Sequence, residues 1–378
     1  MFQAPPLPKL QEAIASPSFP IGMRMRAAYF LRQAYENEMK NKDPLAEHEH
    51  EHAHAQQHSD TIDEIVIETL SQGLLNRKHG SLLRHEFAYV MGQLRDERCC
   101  ACIEKVLLDE SDCIMVRHEC GEALGAIGHE RSIPILQQAI ELNPDTPEIG
   151  QTCRLAIDYM QWKIKGGEEN DAENQPMVCA CMLSPYSSVD PAPPHPQHVN
   201  MSTRDIGAIL RDASIPLFER YRAMFSLRNR GGSDAVLALG RALLEDESSA
   251  LFRHEVAYVL GQMQHNDSVE ALAESLRREG EHAMVRHESA EALGAIEGRW
   301  EDVEIILQTF LNDEDDIIRE SAIVALDAAD YWVHSNTTKT LAHQDTEVEE
   351  NEREDLHVGV VVGGGLGRTF VQVKAQKV

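Results

Sequence analysis

Apolar side chains along the chain recur at steps of three and four residues, as at Ile103, Val106 and Leu107. This spacing places them on one face of an α-helix, whereas the alternation of β-branched residues that is typical of strands is scarce. Breaks that contain Asp or Gly separate the helical segments, and such residues end one helix before the next begins. The pattern therefore predicts an all-α protein built from pairs of helices.

The chain is also duplicated. RHEFAYVMGQL begins at Arg84 and RHEVAYVLGQM begins at Arg253, with 8 of 11 positions identical. MVRHECGEALGAI begins at Met115 and MVRHESAEALGAI begins at Met284, with 11 of 13 positions identical. Both pairs of segments are 169 residues apart (253 − 84 and 284 − 115), so one half of the chain repeats the other.

Each half contains further copies of the helix pair. PIGMRMRAAYFLR from Pro20 aligns with PLFERYRAMFSLR from Pro216, and a last unit in each half ends in LAIDYMQW or VALDAADYW, which gives about four units in each half. A helix pair of this size cannot bury its apolar face alone, so the units are expected to stack into a solenoid. The spacing of 33 residues within each half (118 − 85 and 287 − 254) also fits ankyrin repeats. The T-P-L-H signature of ankyrin is missing, and HEAT-like repeats fit better.

Two insertions and a tail interrupt the repeats. The first half contains a His-rich insert with EHEHEHAHAQQH from Glu47, and a Pro-rich stretch between the halves is predicted to be an extended linker. The C-terminal residues are acidic and then Gly-rich, and we expect no ordered structure there. The predicted organisation is a bilobal α-solenoid with an N-terminal lobe at 1–164, the insert within it at about 41–60, a linker at 165–202, a C-terminal lobe at 203–335 and a tail at 336–378.

The composition excludes several classes of protein. Lys and Arg number 35 against 63 Asp and Glu, and the net charge of −28 opposes nucleic-acid binding and favours a cationic partner. No stretch approaches the ~18 apolar residues of a membrane span, and the first residues do not resemble a secretory signal. All eight cysteines lie between Cys99 and Cys181, which does not suit a disulfide framework shared by two halves. We therefore expect free thiols and a cytoplasmic protein.

Four His-Glu pairs at equivalent positions in the repeats are the strongest candidates for chemistry. Stacked helices lie roughly 8–10 Å apart, so neighbouring units can bring two imidazoles and a carboxylate onto one metal ion. Two His and one carboxylate with open positions form the site of non-haem Fe(II) enzymes that activate O₂. The duplication supplies two such sets, which predicts two Fe²⁺ per chain. The candidate ligands are His85, Glu86, His118, Glu119, His254, Glu255, His287 and Glu288.

The pairs could instead be an inherited packing position. The outer units argue against this, because Arg319-Glu320-Ser321 and Gly150-Gln151-Thr152 occupy the same position without a His-Glu pair. The zincin motif HExxH is absent. A glycine follows each histidine by seven residues and leaves room either for a substrate or for a neighbouring backbone. These glycines are Gly92, Gly125, Gly261 and Gly294.

A bilobal HEAT-like array with two His-Glu pairs in each lobe resembles the deoxyhypusine hydroxylase family, from about Pro20 to Trp332. The resemblance implies a di-iron monooxygenase that uses O₂ to hydroxylate deoxyhypusine on eukaryotic translation initiation factor 5A, together with an electron donor that it does not identify. It further implies that Glu86 and Glu255 are partly free to bind the cationic amines of the substrate. By this resemblance, one iron would be bound by His85, His118 and Glu119, and the other by His254, His287 and Glu288. The positions that would face the substrate include Gly92, Gly261 and Met284.

Two functions of other classes remain open from the sequence. One is a non-enzymatic HEAT scaffold, which would bind its partner without iron. The other is a lyase of the bilin-attaching HEAT group, which the repeats resemble more loosely. The bilin-lyase alternative does not explain four aligned His-Glu pairs, and a metal analysis separates the scaffold from the monooxygenase.

Overall fold

The computed structural model describes residues 5–42, 61–167 and 186–329, together with the backbone of two short strands near the C-terminus. The chain divides into two units, with the boundary between Lys165 and Gly166. Residues 43–60, which include nearly all of the predicted His-rich insert, lie outside the described residues. Among the described residues, no helix combines the length and apolar content needed to cross a bilayer.

The first unit consists of antiparallel helices in two layers. Its helices are α1 (Leu7–Ala15), α2 (Ile21–Asn41), α3 (Ile62–Leu75), α4 (Gly80–Leu94), α5 (Cys100–Leu107), α6 (Ile114–Ile127), α7 (Ile133–Leu142) and α8 (Pro147–Ile164). Helices α2, α4, α6 and α8 pack side by side in one layer, and α1, α3 and α5 pack side by side in the other. This is the stacking of helix pairs that the apolar pattern predicts.

The second unit repeats this arrangement. Its helices are α9 (Thr203–Arg211), α10 (Leu217–Arg230), α11 (Ser233–Glu245), α12 (Ala250–Met263), α13 (Val269–Arg277), α14 (Ala283–Gly294), α15 (Trp300–Gln308) and α16 (316–329). Helices α10, α12 and α14 form one layer, and α9, α11 and α13 form the other. The layer of α10, α12 and α14 is equivalent to the layer of α2, α4 and α6 in the first unit.

Helix α4 is buried around its whole circumference. Every residue from Leu82 to Leu94 is buried, because α2 and α6 flank the helix and α3 covers it. A helix that is enclosed on all sides normally carries only apolar residues, since a buried polar group costs free energy unless it has a partner. His85 and Glu86 therefore need partners inside the protein or a bound ion.

The arginine that precedes each His-Glu pair links neighbouring elements. Arg84 Nε donates a hydrogen bond to the Leu74 carbonyl at the end of α3 (2.6 Å), and its Nη atoms form two bonds of 2.6 Å with Asp112. The carbonyl groups at a helix C-terminus lack partners within the helix, and the buried guanidinium supplies one. The same contact joins Arg117 to Leu107 and Arg286 to Leu276. These arginines thus stabilise the repeat.

Part of the predicted linker packs onto the second unit. The carboxylate of Asp190 pairs with the buried guanidinium of Arg228 in α10 at 2.5 Å, and the ring of Tyr186 lies 4.6 Å from the same guanidinium. A 3₁₀-helix follows at Pro196–Asn200. Residues 186–200 therefore belong to the second unit rather than to a free linker, because they supply the charge that Arg228 needs inside the fold. Residues 168–185 lie outside the described residues.

The predicted tail differs from expectation at two short segments. The backbone of Val361–Gly364 (β1) pairs antiparallel with that of Thr369–Gln372 (β2), with Val362 opposite Val371. Val361, Val362 and Val371 are β-branched residues, which suit strands. The rest of residues 330–378 lies outside the described residues.

Candidate metal centre

The four His-Glu pairs lie on equivalent helices of the two units. The pairs of the first unit lie on α4 and α6, and those of the second unit lie on α12 and α14. All eight side chains are buried, and none is more than 3% exposed. Four carboxylates without solvent contact would be strongly unfavourable if nothing compensated their charge. Their burial therefore indicates a function beyond packing.

The first unit brings His85, His118 and Glu119 together. The two imidazole rings have their centroids 5.3 Å apart and are tilted by 40°. Glu119 Oε2 lies 3.1 Å from His85 Nε2 and accepts no hydrogen bond within the part of the chain that the structure describes. A buried carboxylate oxygen without a hydrogen bond fits a bound cation, because leaving such an atom unsatisfied costs about 1–3 kcal/mol or more.

The second unit reproduces this geometry. The rings of His254 and His287 are also 5.3 Å apart at their centroids, with a tilt of 36°. Glu288 Oε2 lies 3.4 Å from His254 Nε2 and accepts no hydrogen bond from the described residues. One candidate ligand atom from each of these three side chains lies within 4.8 Å of the other two. Both units therefore offer two imidazoles and one carboxylate, which fits a divalent transition metal such as iron.

The electrostatic field of the first set favours a cation. Burial disfavours the charged form of His85, but the carboxylates of Glu119 and Glu86 outweigh this effect and raise the pKa of the imidazole to about 10. The same negative charge would attract a metal ion in place of the proton. A metal ligand must be a neutral imidazole, so binding would displace that proton.

The glycines seven residues after the histidines allow neighbouring helices to approach closely. A Cβ atom on Gly92 would lie 2.8 Å from Ala123 Cα on α6, and one on Gly261 would lie 2.9 Å from Ala292 Cα on α14. Close contact with a neighbouring backbone therefore accounts for the absence of a side chain. The assignment of Gly92 and Gly261 to the substrate side stays a prediction, as does that of Met284, which is buried at the start of α14.

Three residues near the two ligand sets were not among the candidates predicted from the sequence. The Tyr29 hydroxyl on α2 donates a hydrogen bond to Glu86 Oε2. Glu122 lies close to His118 and Glu119, and its duplicate Glu291 has Oε1 3.6 Å from His287 Nδ1. The two glutamates could have been recognised, because HECGE and HESAE share the pattern His-Glu-x-x-Glu. Tyr29 gives no such signal, because the duplication places a phenylalanine at the aligned position.

The cysteines play no part in these sets. The six described cysteines, from Cys99 to Cys153, are free thiols, and burial raises the pKa of Cys99 to about 12. Within the described ranges, the groups suited to a metal ion contain only His and Glu. The remaining cysteines, Cys179 and Cys181, and the alternating histidines from His48 to His54 lie outside the described residues.

Comparisons with known proteins support the fold and place the chain among its relatives. HEAT repeats match residues 67–151, 205–293 and 252–327. Deoxyhypusine hydroxylase of Danio rerio is 45% identical over 252 residues, which cover 66% of this chain and 77% of the relative. The enzyme of the same name from Saccharomyces cerevisiae is 42% identical over 265 residues, which cover 70% of this chain and 77% of the relative.

A solved structure of human deoxyhypusine hydroxylase in complex with glycerol is similar to this chain with a TM-score of 0.69 and 38% sequence identity. The similarity covers 86% of this chain and 96% of the human one, so it extends over nearly the whole of that fold. The predicted all-α architecture of HEAT-like repeats is confirmed.

Proposed function

Because the chain belongs to the deoxyhypusine hydroxylase family, we propose that it is a di-iron, O₂-dependent enzyme that hydroxylates deoxyhypusine on eukaryotic translation initiation factor 5A. The family itself makes the chain a monooxygenase of hypusine biosynthesis. Membership of this family argues against the two alternatives, a non-enzymatic HEAT scaffold and a bilin-attaching lyase. The identity of the metal, the use of O₂ and the protein substrate are the proposed parts.

Two buried sets of ligands support the proposal most directly. In the second unit, two imidazoles and one glutamate have candidate ligand atoms within 4.8 Å of one another. In the first unit, Glu119 lies 3.1 Å from His85, whose ring centroid is 5.3 Å from that of His118. One carboxylate oxygen of Glu119 and one of Glu288 accept no hydrogen bond from the described residues. We assign His85, His118 and Glu119 to one iron and His254, His287 and Glu288 to the other. Iron bound in this way supplies the O₂ activation that hydroxylation of an unactivated C–H bond requires.

The residues of the chain would position the metal and exclude water. Each ligand lies on a helix that is packed on several sides, so its position is determined by the core and not by a loop. The burial of all eight side chains would limit the access of water and of stray reductants to a bound metal. Monooxygenation places one oxygen atom in the product and reduces the other to water. An electron donor is therefore required as a second partner.

The acidic side chains suit the charge of the proposed substrate. Deoxyhypusine carries a secondary and a terminal amine, which are both cationic near neutral pH, and a carboxylate binds such groups through charge-assisted hydrogen bonds. We assign Glu86 and Glu255 to this contact. Glu86 already accepts from Tyr29 and lies 3.1 Å from His85 Nδ1. An ionised carboxylate has about four acceptor positions, so two such contacts leave capacity for an ammonium group.

Metal analysis combined with a hydroxylation assay tests the proposal. The purified chain should bind about two iron ions and hydroxylate the deoxyhypusine form of the initiation factor with consumption of O₂. His85→Ala and His287→Ala should each lose about one ion, and both should lose activity. His129→Ala removes an imidazole that belongs to neither set and pairs with Glu97, so it serves as the control. Full activity without iron would refute the metal assignment.

A further inference from the structure

We propose that Tyr29 is a positioning residue for the metal ligands of the first unit. Its hydroxyl holds the carboxylate of Glu86, and Glu86 in turn holds the imidazole of His85 with Nε2 directed to the metal. This role rests on the proposed function, since it concerns how the first set binds its ion.

Four side chains form a continuous series of contacts within the first unit. The Tyr29 hydroxyl on α2 donates to Glu86 Oε2, and Glu86 Oε1 lies 3.1 Å from His85 Nδ1. On the other side of the ring, His85 Nε2 lies 3.1 Å from Glu119 Oε2. Glu86 is fully buried, so water does not compete for its oxygens. The series therefore joins α2 to the candidate metal ligands on α4 and α6.

The contacts of Glu86 select one tautomer of His85. A neutral imidazole has one N–H donor and one nitrogen lone pair, and an ionised carboxylate can only accept. When a metal ion displaces one proton, the hydrogen that remains is the one on Nδ1, which faces Glu86, and Nε2 offers its lone pair to the metal. Histidine ligands of metals commonly donate their second N–H to a carboxylate in this way, which fixes the orientation of the ring.

Helix geometry alone does not bring Glu86 to His85. Consecutive residues of an α-helix point in different directions, and their side chains do not face each other as those three or four residues apart do. A contact from another helix therefore helps to hold Glu86 against the His85 ring. Tyr29 supplies that contact from α2, which packs against α4.

The duplication is broken at this position. The alignment of Pro20 with Pro216 places Phe225 of α10 opposite Tyr29 (216 − 20 = 196 and 29 + 196 = 225), and a phenyl ring has no hydroxyl to donate. Glu291 lies 3.6 Å from His287 Nδ1 in the second unit, and its duplicate Glu122 lies close to His118 in the first, so this glutamate is common to both sets. The hydroxyl that contacts Glu86 has no counterpart at the aligned position of the second unit. Loss of that hydroxyl should therefore lower the metal affinity of the first set alone.

A competition titration with Co²⁺ tests the role of Tyr29. The full chain with His287→Ala provides the parent protein, because that change disables the second set and leaves the first. Co²⁺ binding is followed through its visible absorption against a chelator, and the unfolding temperature is recorded for each metal-free variant. Tyr29→Phe should weaken Co²⁺ binding about 10-fold, the lower end of the effect of removing an outer partner of a ligand.

Tyr35→Phe is the matched control. Tyr35 lies on the same helix, and its hydroxyl also donates to a carboxylate, Asp96 Oδ2 at 2.7 Å, which is not part of a His-Glu pair. This change should leave Co²⁺ affinity unaltered even if it lowers the unfolding temperature. Glu86→Ala should weaken Co²⁺ binding at least as much as Tyr29→Phe, and adding Tyr29→Phe to it should have no further effect, because Tyr29 acts through Glu86.

Three results would overturn the role of Tyr29. Equal Co²⁺ affinity of Tyr29→Phe and Tyr35→Phe would show that the hydroxyl does not support the ligands. Additive losses from Tyr29→Phe and Glu86→Ala would show that it does not act through Glu86. A parent that binds no Co²⁺, seen before any variant is compared, would contradict the proposed metal centre itself and with it the role of Tyr29.

Discussion

Gly92 lies where α4 and α6 approach each other closely, and its replacement by alanine should push these helices apart. The added Cβ would lie 2.8 Å from Ala123 Cα, whereas ordinary contacts of this kind begin at 3.4 Å. The difference, 3.4 − 2.8 = 0.6 Å, must be absorbed by the backbone, because a Cα atom cannot rotate away as a side chain can. The helices that carry His85 and His118 would therefore shift.

Two opposing contributions determine the expected loss of stability. Overpacking of a well-packed core costs about 1–3 kcal/mol. Replacing a glycine within a helix by alanine gains about 0.5–1 kcal/mol, because alanine restricts the unfolded chain. The net loss should be about 1–2 kcal/mol. For a folding unit of this size, it corresponds to a fall of about 2–8 °C in the unfolding temperature.

Metal affinity should fall as well. Metal–ligand distances vary by only about 0.2 Å between working sites. If half of the 0.6 Å shift reached His85, its distance to the metal would change by more than this. The measurements are thermal unfolding of the metal-free chain by circular dichroism and a Co²⁺ titration. Gly150→Ala in α8 is the control, because no atom lies within 4 Å of the added Cβ. If Gly92→Ala proves as stable as Gly150→Ala and binds Co²⁺ equally well, the close approach does not constrain the site.

Two further predictions follow from charged groups in the first unit. Arg84→Met should destabilise the chain by up to about 3–5 kcal/mol in urea unfolding, because the buried Asp112 carboxylate loses its nearest charged partner and keeps only Arg77 at 3.7 Å and the Cys113 N–H. Loss of the exposed Arg211–Glu245 pair should cost at most about 1 kcal/mol. The pKa of His85 is raised to about 10 in the folded, metal-free protein. Protonated His85 should therefore contribute fully to the free energy of unfolding below about pH 6.5, and this contribution should be lost as the pH rises through 10. Co²⁺ binding to the first set should therefore release about one proton at pH 8. The release can be measured by calorimetry in buffers of different ionisation enthalpy. A release near zero would contradict the raised pKa.

The repeats and the His-Glu pairs could be predicted because the duplication reveals them. Each motif occurs twice at an interval of 169 residues, and the same periodic apolar positions surround each copy. Residues that recur with the repeat then occupy the same place on equivalent helices, as His118 and His287 do on α6 and α14. Internal repetition thus substitutes for part of the information that a structure supplies.

Contacts that occur in only one unit could not be predicted in this way. Tyr29 and Glu86 are 57 residues apart, and their hydrogen bond depends on how α2 packs against α4. The pairing of Asp190 with Arg228 spans 38 residues and joins the Pro-rich stretch to α10. Tyr29 does not recur in the other half and Asp190 lies outside the repeats, so only the folded chain shows which residues they contact. The Pro-rich composition of the stretch predicted an extended linker, but it did not predict that residues 186–200 pack against the second unit.

The glycines show why the sequence left two interpretations where the structure favours one. A glycine at a fixed interval from a histidine removes a side chain from the same helix face, and this serves a ligand or a neighbouring helix equally well. The backbone positions support close helix packing, because an added Cβ on Gly92 or Gly261 would meet Ala123 or Ala292, and the assignment to the substrate side stays a prediction. The tight packing that these glycines allow also brings the ring centroids of both His pairs to 5.3 Å. A glycine that never touches the metal can therefore be as necessary for the ligand geometry as the histidines themselves.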